Sequence, residues 1–278
     1  VKQGGESLLV FICKSLISIR LSILFAKRVP ERYGRVMINR LFATLFKGKS
    51  PYETIDPDTV PDDCKGWGSE DPFLEEIIRT VRPTTVLEIG SWKGGSAIHM
   101  ARCARQEGIA TEIICADPHV GSPGLWLANP EAMYKTPAGE CGTYTIMLAN
   151  IKRAGLTDLI TPFRATSSVV TSVMRQQGLC ADLIYIDGSH DVIDVEADLR
   201  HALKVVHPDT VIVCDDYDHP RLTGVTEAVG QFLKLNSRFN IAAAKETGLH
   251  LYTERIVGTE TAKKCVLVQS DSQFACRF

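Results

Sequence analysis

The sequence predicts an α/β domain, a doubly wound, mostly parallel sheet of seven strands with helices on both faces. Three observations carry that expectation. A chain of 278 residues that is 45% apolar and 23% charged can bury one sizeable core, which suits one main domain with an appendage. From Asp71 onward, short apolar runs alternate with longer amphipathic ones. The short runs are apolar almost throughout, as strands are when both faces of a sheet are covered.

The elements follow in order. FLEEIIRTV (73–81) reads as a helix, TTVLEI (84–89) as a strand, GSAIHMARCARQ (95–106) as a helix and TEIICA (111–116) as a strand. After a loop from Pro118 to Gly142 come the helix TYTIMLANIKRAG (143–155), the strand LITPFRA (159–165), the helix SVVTSVMRQQ (168–177) and the strand ADLIYI (181–186). VIDVEADLRHALKVV (192–206) is helical, DTVIVC (209–214) a strand, GVTEAVGQFLKL (224–235) a helix, and FNIAAA (239–244) with LHLYT (249–253) a closing pair. The main domain is therefore expected over 69–255, after a Pro- and Asp-rich linker at 51–68 and before a tail at 256–278.

Residues 1–50 differ in character, with ten Lys or Arg against two acids, Glu6 and Glu31, while the whole chain has a net charge of −2. Lys14 and Arg20 interrupt the apolar run, so a membrane span of about 20 clean residues is disfavoured. An interfacial helix with a peripheral membrane contact, a targeting segment, or a helix packing on the core or on a second subunit remain open. The overall charge offers no case for nucleic acid. Nine cysteines without a CxxC pair point to reduced thiols and an intracellular, cytoplasmic setting rather than to disulfides or structural zinc.

In parallel sheets, ligands bind at the carboxyl ends of the strands. Those ends carry Glu88-Ile89-Gly90, Asp117, Ala165-Thr166-Ser167, Asp187-Gly188 and Asp215-Asp216. Gly90, Gly94 and Gly95 spell GxxxGG, neither the dinucleotide GxGxxG nor the phosphate-binding GxxxxGK[ST]. A tight strand-to-helix turn that uses glycine only for its positive φ is the plain alternative. No tyrosine has a lysine four residues on, which disfavours a short-chain oxidoreductase using a nicotinamide. Glu88 before the turn would repel a pyrophosphate but can accept from an ammonium, and Asp117 is placed to accept both hydroxyls of a ribose. A cationic nucleoside fits these residues better than a dinucleotide.

On the segment LEIGSWKGGSA (87–97), and from about Gly68 to Thr253, the chain resembles class I S-adenosylmethionine-dependent methyltransferases, which have a Rossmann-like fold. The resemblance implies that Gly90, Ser91 and Gly94 line the methionine and ribose side, Asp117 the ribose, and Thr166 with Ser167 the adenine edge. DLIYIDGSHDVIDVEADLRHAL and DTVIVCDDYDHPRLTGVTEAVGQF look like the cation-dependent sugar and catechol-type O-methyltransferases. That likeness makes Asp187, Asp215 and Asp216 holders of a divalent ion such as Mg²⁺. A hard cation takes a few carboxylates, keeps positions open for substrate oxygens and lowers the pKa of a bound hydroxyl. Capping of helices, or binding of the cofactor amine, is the other use for such acids.

His219, His190 and Asp191 lie beside the trio, and any of them is a candidate to take the substrate proton; His190 and Asp191 also stand where a helix begins. Trp126, Tyr134 and Lys135 sit in the Pro118–Gly142 loop, long enough to be a lid. ADPHVG and HPDT depart from the resembling pattern after the second strand and before the fifth. The expected activity is S-adenosylmethionine-dependent O-methylation of a small hydroxylated molecule, a sugar or phenol, by a chain that admits self-association. The alternative is a non-catalytic module of the same fold, tethered by its basic head to a membrane or an acidic partner.

Overall fold

The computed structural model describes residues 41–42, 44–64, 69–136, 138–247 and 262–278. Seven strands form one sheet in the order β3-β2-β1-β4-β5-β7-β6. They are β1 Thr85–Ile89, β2 Glu112–Ala116, β3 Ile160–Phe163, β4 Leu183–Ile186, β5 Val211–Tyr217, β6 Phe239–Thr247 and β7 Ala262–Gln269. Strands β1 to β5 pair in parallel, and β7 runs antiparallel to both β5 and β6.

The helices are α1 Pro72–Val81, α2 Gly95–Gln106, α3 Pro123–Ala128, α4 Thr143–Arg153, α5 Ser167–Gln176, α6 Val192–Ala202 and α7 Gly224–Leu235. Side chains alternate across each strand, so the sheet divides the core in two. Val86, Ile113, Leu183, Val211 and Val266 meet α1, α2 and α4 on one face. Leu87, Ile114, Ile184, Ile212 and Leu267 meet α5, α6 and α7 on the other, where Leu41 also packs. The expected doubly wound sheet is thus the observed one.

Two boundaries differ from expectation. The closing strand comes from the expected tail: Cys265-Val266-Leu267-Val268 is buried throughout and slots between β5 and β6. Its two leading lysines give it the look of a tail, whereas burial of the four residues that follow makes it a strand. LHLYT lies outside the described residues, as do residues 1–40 of the basic head. Finally, the described part of the 51–68 linker is strapped to the domain. Tyr52 is buried and donates its hydroxyl to the Ile160 carbonyl at 2.8 Å, while Lys152 Nζ reaches the carbonyls of Ile55 and Tyr52 at 2.7 and 3.1 Å.

The strand order reverses between β1 and β4, and there the two chain turns press together. A Cβ on Gly90, whose φ is +91°, would stand 2.2 Å from the Asp187 carbonyl oxygen. Gly90→Ala should therefore cost about 2 kcal/mol or more, through strain and displacement of the β4 turn. Urea unfolding of the variant beside Gly108→Ala checks this, because Gly108 also has positive φ but open space around it; equal losses would mean that the φ alone matters.

Candidate active site

Building from β1 outward, Glu88 is fully buried beneath the first turn of α2. It accepts from Ser96 Oγ at 2.6 Å, and Cys115 Sγ lies 3.4 Å from its other oxygen. Burial raises its pKa, against the hydroxyls of Ser96 and Ser91 and the Cys115 thiol. Glu88 therefore supports the glycine turn from below. The turn itself runs through Gly90, then Trp92 at φ +46°, to Gly94, which caps α2 at φ +84°.

Asp117 leaves the end of β2 and ties this turn to the next loop. One of its oxygens accepts from Trp92 N at 2.8 Å, the other from His119 N at 2.6 Å. Each oxygen keeps a further lone pair. His119 is buried beside it, with Nδ1 3.0 Å from Thr143 Oγ1 and no hydrogen-bond partner at Nε2. Burial lowers its pKa, keeping the ring neutral. Nothing in the sequence singled out His119 beyond the unusual ADPHVG.

At the adenine-side turn, Thr166 is exposed at the N-cap of α5. Ser167, expected to face the same ligand edge, is instead committed to α6. Its hydroxyl lies 2.5 Å from Asp198 Oδ1 and 3.1 Å from His201 Nδ1, because the first turn of α5 packs against the middle of α6.

The acidic trio is rearranged. Among the described residues, Asp187, His190 and Asp216 can each offer one ligand atom within 4.8 Å of the others. A crevice lined by Asp187, Gly188, His190 and Asp215 lies beside them. Asp216 reaches this position through a left-handed backbone, φ +53°, and accepts from or pairs with His190 Nε2 at 2.7 Å. Asp215, expected in the ion set, turns away: its carboxylate meets Lys264 Nζ and the Tyr185 hydroxyl, both at 2.5 Å. Lys264 is 1% exposed and also stands 3.7 Å from Asp71. The left-handed backbone at Asp216, within the register shift between Cys214 and Tyr217, sets Asp215 and Asp216 apart, and Lys264 holds the first of them.

Burial, and then the nearby Asp215, push the Asp187 carboxyl well above the usual range. The hydrogen bond to Asp216 raises His190. For Asp216 burial acts upward, but the His190 contact prevails and leaves the carboxyl low.

His219 does not serve as the expected base. It is buried, and its Nδ1 accepts the backbone N–H groups of Arg221 and Leu222 at 3.1 and 3.0 Å. That fixes a neutral ring's proton on Nε2 and gives the residue a turn-forming role. Asp191 is exposed at the N-cap of α6 without a side-chain capping bond. In the loop from Pro118 to Gly142, Trp126 Nε1–H donates to the Val120 carbonyl at 2.7 Å, and Lys135 Nζ lies 4.8 Å from its ring.

Two outcomes follow from these charges. Lys264→Met would leave Asp215 buried and unpaired, at a cost of roughly 3–5 kcal/mol; adding Asp215→Asn should recover much of that in urea unfolding, and no recovery would mean that packing dominates. The His190–Asp216 pair stabilises the fold below the unfolded histidine pKa, because the folded value is raised, and above the unfolded aspartate pKa, because the folded value is lowered. Its contribution is full from about pH 4 to 6.5 and fades on either side. Melting curves of Asp216→Asn in EDTA should show the largest deficit near pH 5.5 and a smaller one at pH 9.

A family model described as a methyltransferase domain matches residues 87–217. No curated protein matches the chain in sequence. Among solved structures, a candidate O-methyltransferase from Klebsiella pneumoniae is 17% identical over 89% of this chain and 94% of its own, with a TM-score of 0.50. Cofactor-bound Rv0187 from MTB is 16% identical over the same shares, also at 0.50. The O-methyltransferase from Bacillus cereus in complex with SAH is 17% identical over 89% and 96%, at 0.49. The first two share the fold. The glycine turn of β1 and the acid of β2 both lie inside the residues matched by the methyltransferase-domain model.

Proposed function

We propose that this chain transfers a methyl group from S-adenosylmethionine to the oxygen of a small hydroxylated molecule, such as a sugar or phenol, with help from a divalent cation. The observation that carries the reading is Asp117, whose carboxylate is held by two backbone N–H groups while each oxygen keeps a lone pair for a ribose hydroxyl. The unpartnered Nε2 of buried His119 beside it supports a ligand with polar groups at that place.

The cofactor, when bound, supplies a sulfonium methyl that a nucleophilic oxygen can take. The chain's residues do the rest. The turn at Gly90 to Gly94 presents backbone to the ligand, Asp117 orients the ribose, and exposed Thr166 borders the adenine edge. Asp187, His190 and Asp216 supply two carboxylates and one imidazole, a set that leaves positions open and suits Mn²⁺ as well as Mg²⁺. A cation there would lower the pKa of a substrate hydroxyl. Asp215, neutralised by Lys264, stands behind this set.

A second reading rests on the 2.7 Å His190–Asp216 contact. With Nε2–H donating to Asp216, the lone pair on Nδ1 can take the substrate proton without an ion.

Calorimetry with S-adenosylhomocysteine should detect binding, and Asp117→Ala should weaken it by roughly tenfold to a hundredfold, the loss of one or two charge-assisted hydrogen bonds. Absence of heat and of thermal shift in the parent chain would end the cofactor reading. Asp216→Ala should abolish methyl transfer while keeping cofactor affinity, and EDTA should reproduce the loss. Full activity in EDTA would instead select the dyad.

A further inference from the structure

The described segment before the domain, residues 51–64, ends against the glycine turn after β1, and α4 fastens the two together. Lys152 and Arg153 of α4 hold carbonyls along that segment, those of Tyr52 and Ile55 for the lysine and of Pro57, Val60 and Pro61 for the arginine. Asn150, just ahead of them, reaches further. Its Nδ2 donates to the Asp63 carbonyl at 3.0 Å and to the Lys93 carbonyl at 2.9 Å, while its Oδ1 accepts from Arg153 at 3.0 Å. One buried amide group thus spends both N–H bonds on joining the segment to the turn.

A second tie runs beside the first. Lys93 Nζ lies 2.5 Å from Asp63 Oδ2, and the lysine side chain is 5% exposed. Lys93 is therefore held at both ends, by its carbonyl through Asn150 and by its ammonium through Asp63. The residues that follow it are close-packed as well. A Cβ on Gly94 would stand 3.0 Å from Met147 Cγ of α4, and one on Gly95 would stand 2.7 Å from Ser69 Oγ and 3.1 Å from the Cys64 carbonyl oxygen.

The turn needs such a hold because of Trp92. Its φ of +46° is a left-handed conformation, costly for a bulky side chain and kept only where the surroundings over-determine it. Asp117 fixes the Trp92 N–H at 2.8 Å. Asn150 and Asp63 fix the next residue, so the strained position is gripped on both flanks.

We propose that Asn150 and Asp63 are positioning residues for the cofactor. Acting through Lys93, they keep the Gly90–Gly95 turn in the shape that presents its backbone to S-adenosylmethionine, which couples cofactor binding to the seating of residues 61–64. The inference rests on the cofactor reading above and extends it to a segment that precedes the domain.

Calorimetry and hydrogen exchange on the full chain test it. Asn150→Leu keeps a similar volume without either N–H donor, and should weaken S-adenosylhomocysteine about tenfold, the loss of two hydrogen bonds to the turn and segment. Lys152→Met, which frees the segment farther from the turn, should lower the melting temperature yet leave the dissociation constant within about twofold. By reciprocity, saturating S-adenosylhomocysteine should slow exchange at the amides of Asp62, Asp63 and Cys64 in the parent, and much less in Asn150→Leu. Should Asn150→Leu unfold, Asp63→Asn decides, with about threefold weaker binding expected at low salt. Unchanged affinity in a folded Asn150→Leu, an equal loss in Lys152→Met, or exchange at residues 62–64 indifferent to the ligand would each overturn the positioning role while the cofactor reading stands. No binding by the parent chain would end both.

Discussion

Glu88, Asp187, Asp215 and Asp216 crowd the ends of three neighbouring strands, and containing their mutual repulsion organises much of this molecule. Each receives a different answer. Glu88 is buried against hydroxyls and a thiol. Asp215 is matched by Lys264 from β7, and Asp216 by His190 from the turn after β4. Asp187 is left with a single long contact, 3.3 Å from the Tyr185 hydroxyl. Burial and like charge push that carboxyl toward its protonated form, so it has most to gain from a cation, and it stands where the crevice opens. The crevice beside Asp187 is thus the place where the protein's own counter-charges run out.

The insertion of β7 is inseparable from this arrangement. An antiparallel strand between β5 and β6 brings its first residues alongside the last ones of β5, pairing Cys265 with Cys214 and Lys263 with Tyr217. Lys264 falls within that stretch and turns inward under the acids. Lys263 turns outward to Asp218, 2.5 Å away. Successive lysines thus serve successive turns of one acidic loop, one in the core and one at the surface.

The limits of what the sequence made legible follow from the same geometry. Alternating apolar and amphipathic runs are local signals, and strands β1 to β5 and all the major helices could be read from them. Glu88, Gly90 and Asp117 sit at strand ends, so they too were accessible to a rule about where ligands bind. Lys264 was not, since a buried lysine looks like any other until its partner is known, and Asp215 lies 49 residues away. The same long-range pairing turns Asp215 away from the Asp187, His190 and Asp216 cluster. His219 misled for a local reason: a histidine beside two acids invites a catalytic role, but backbone N–H groups two and three residues on had already taken its lone pair.

Ser167 illustrates how support and ligand contact divide between neighbouring residues. Thr166 and Ser167 both follow β3, yet the helix that begins there turns the second hydroxyl inward to Asp198. Asp198 Oδ2 also stands 3.4 Å from where a Cβ on Gly188 would be, so the same carboxyl borders the turn after β4. Burial raises that carboxyl to about 6, and the Ser167 hydroxyl supplies the hydrogen bond that steadies its charged form. The commitment of Ser167 to Asp198 leaves Thr166 as the outward-facing residue of its pair.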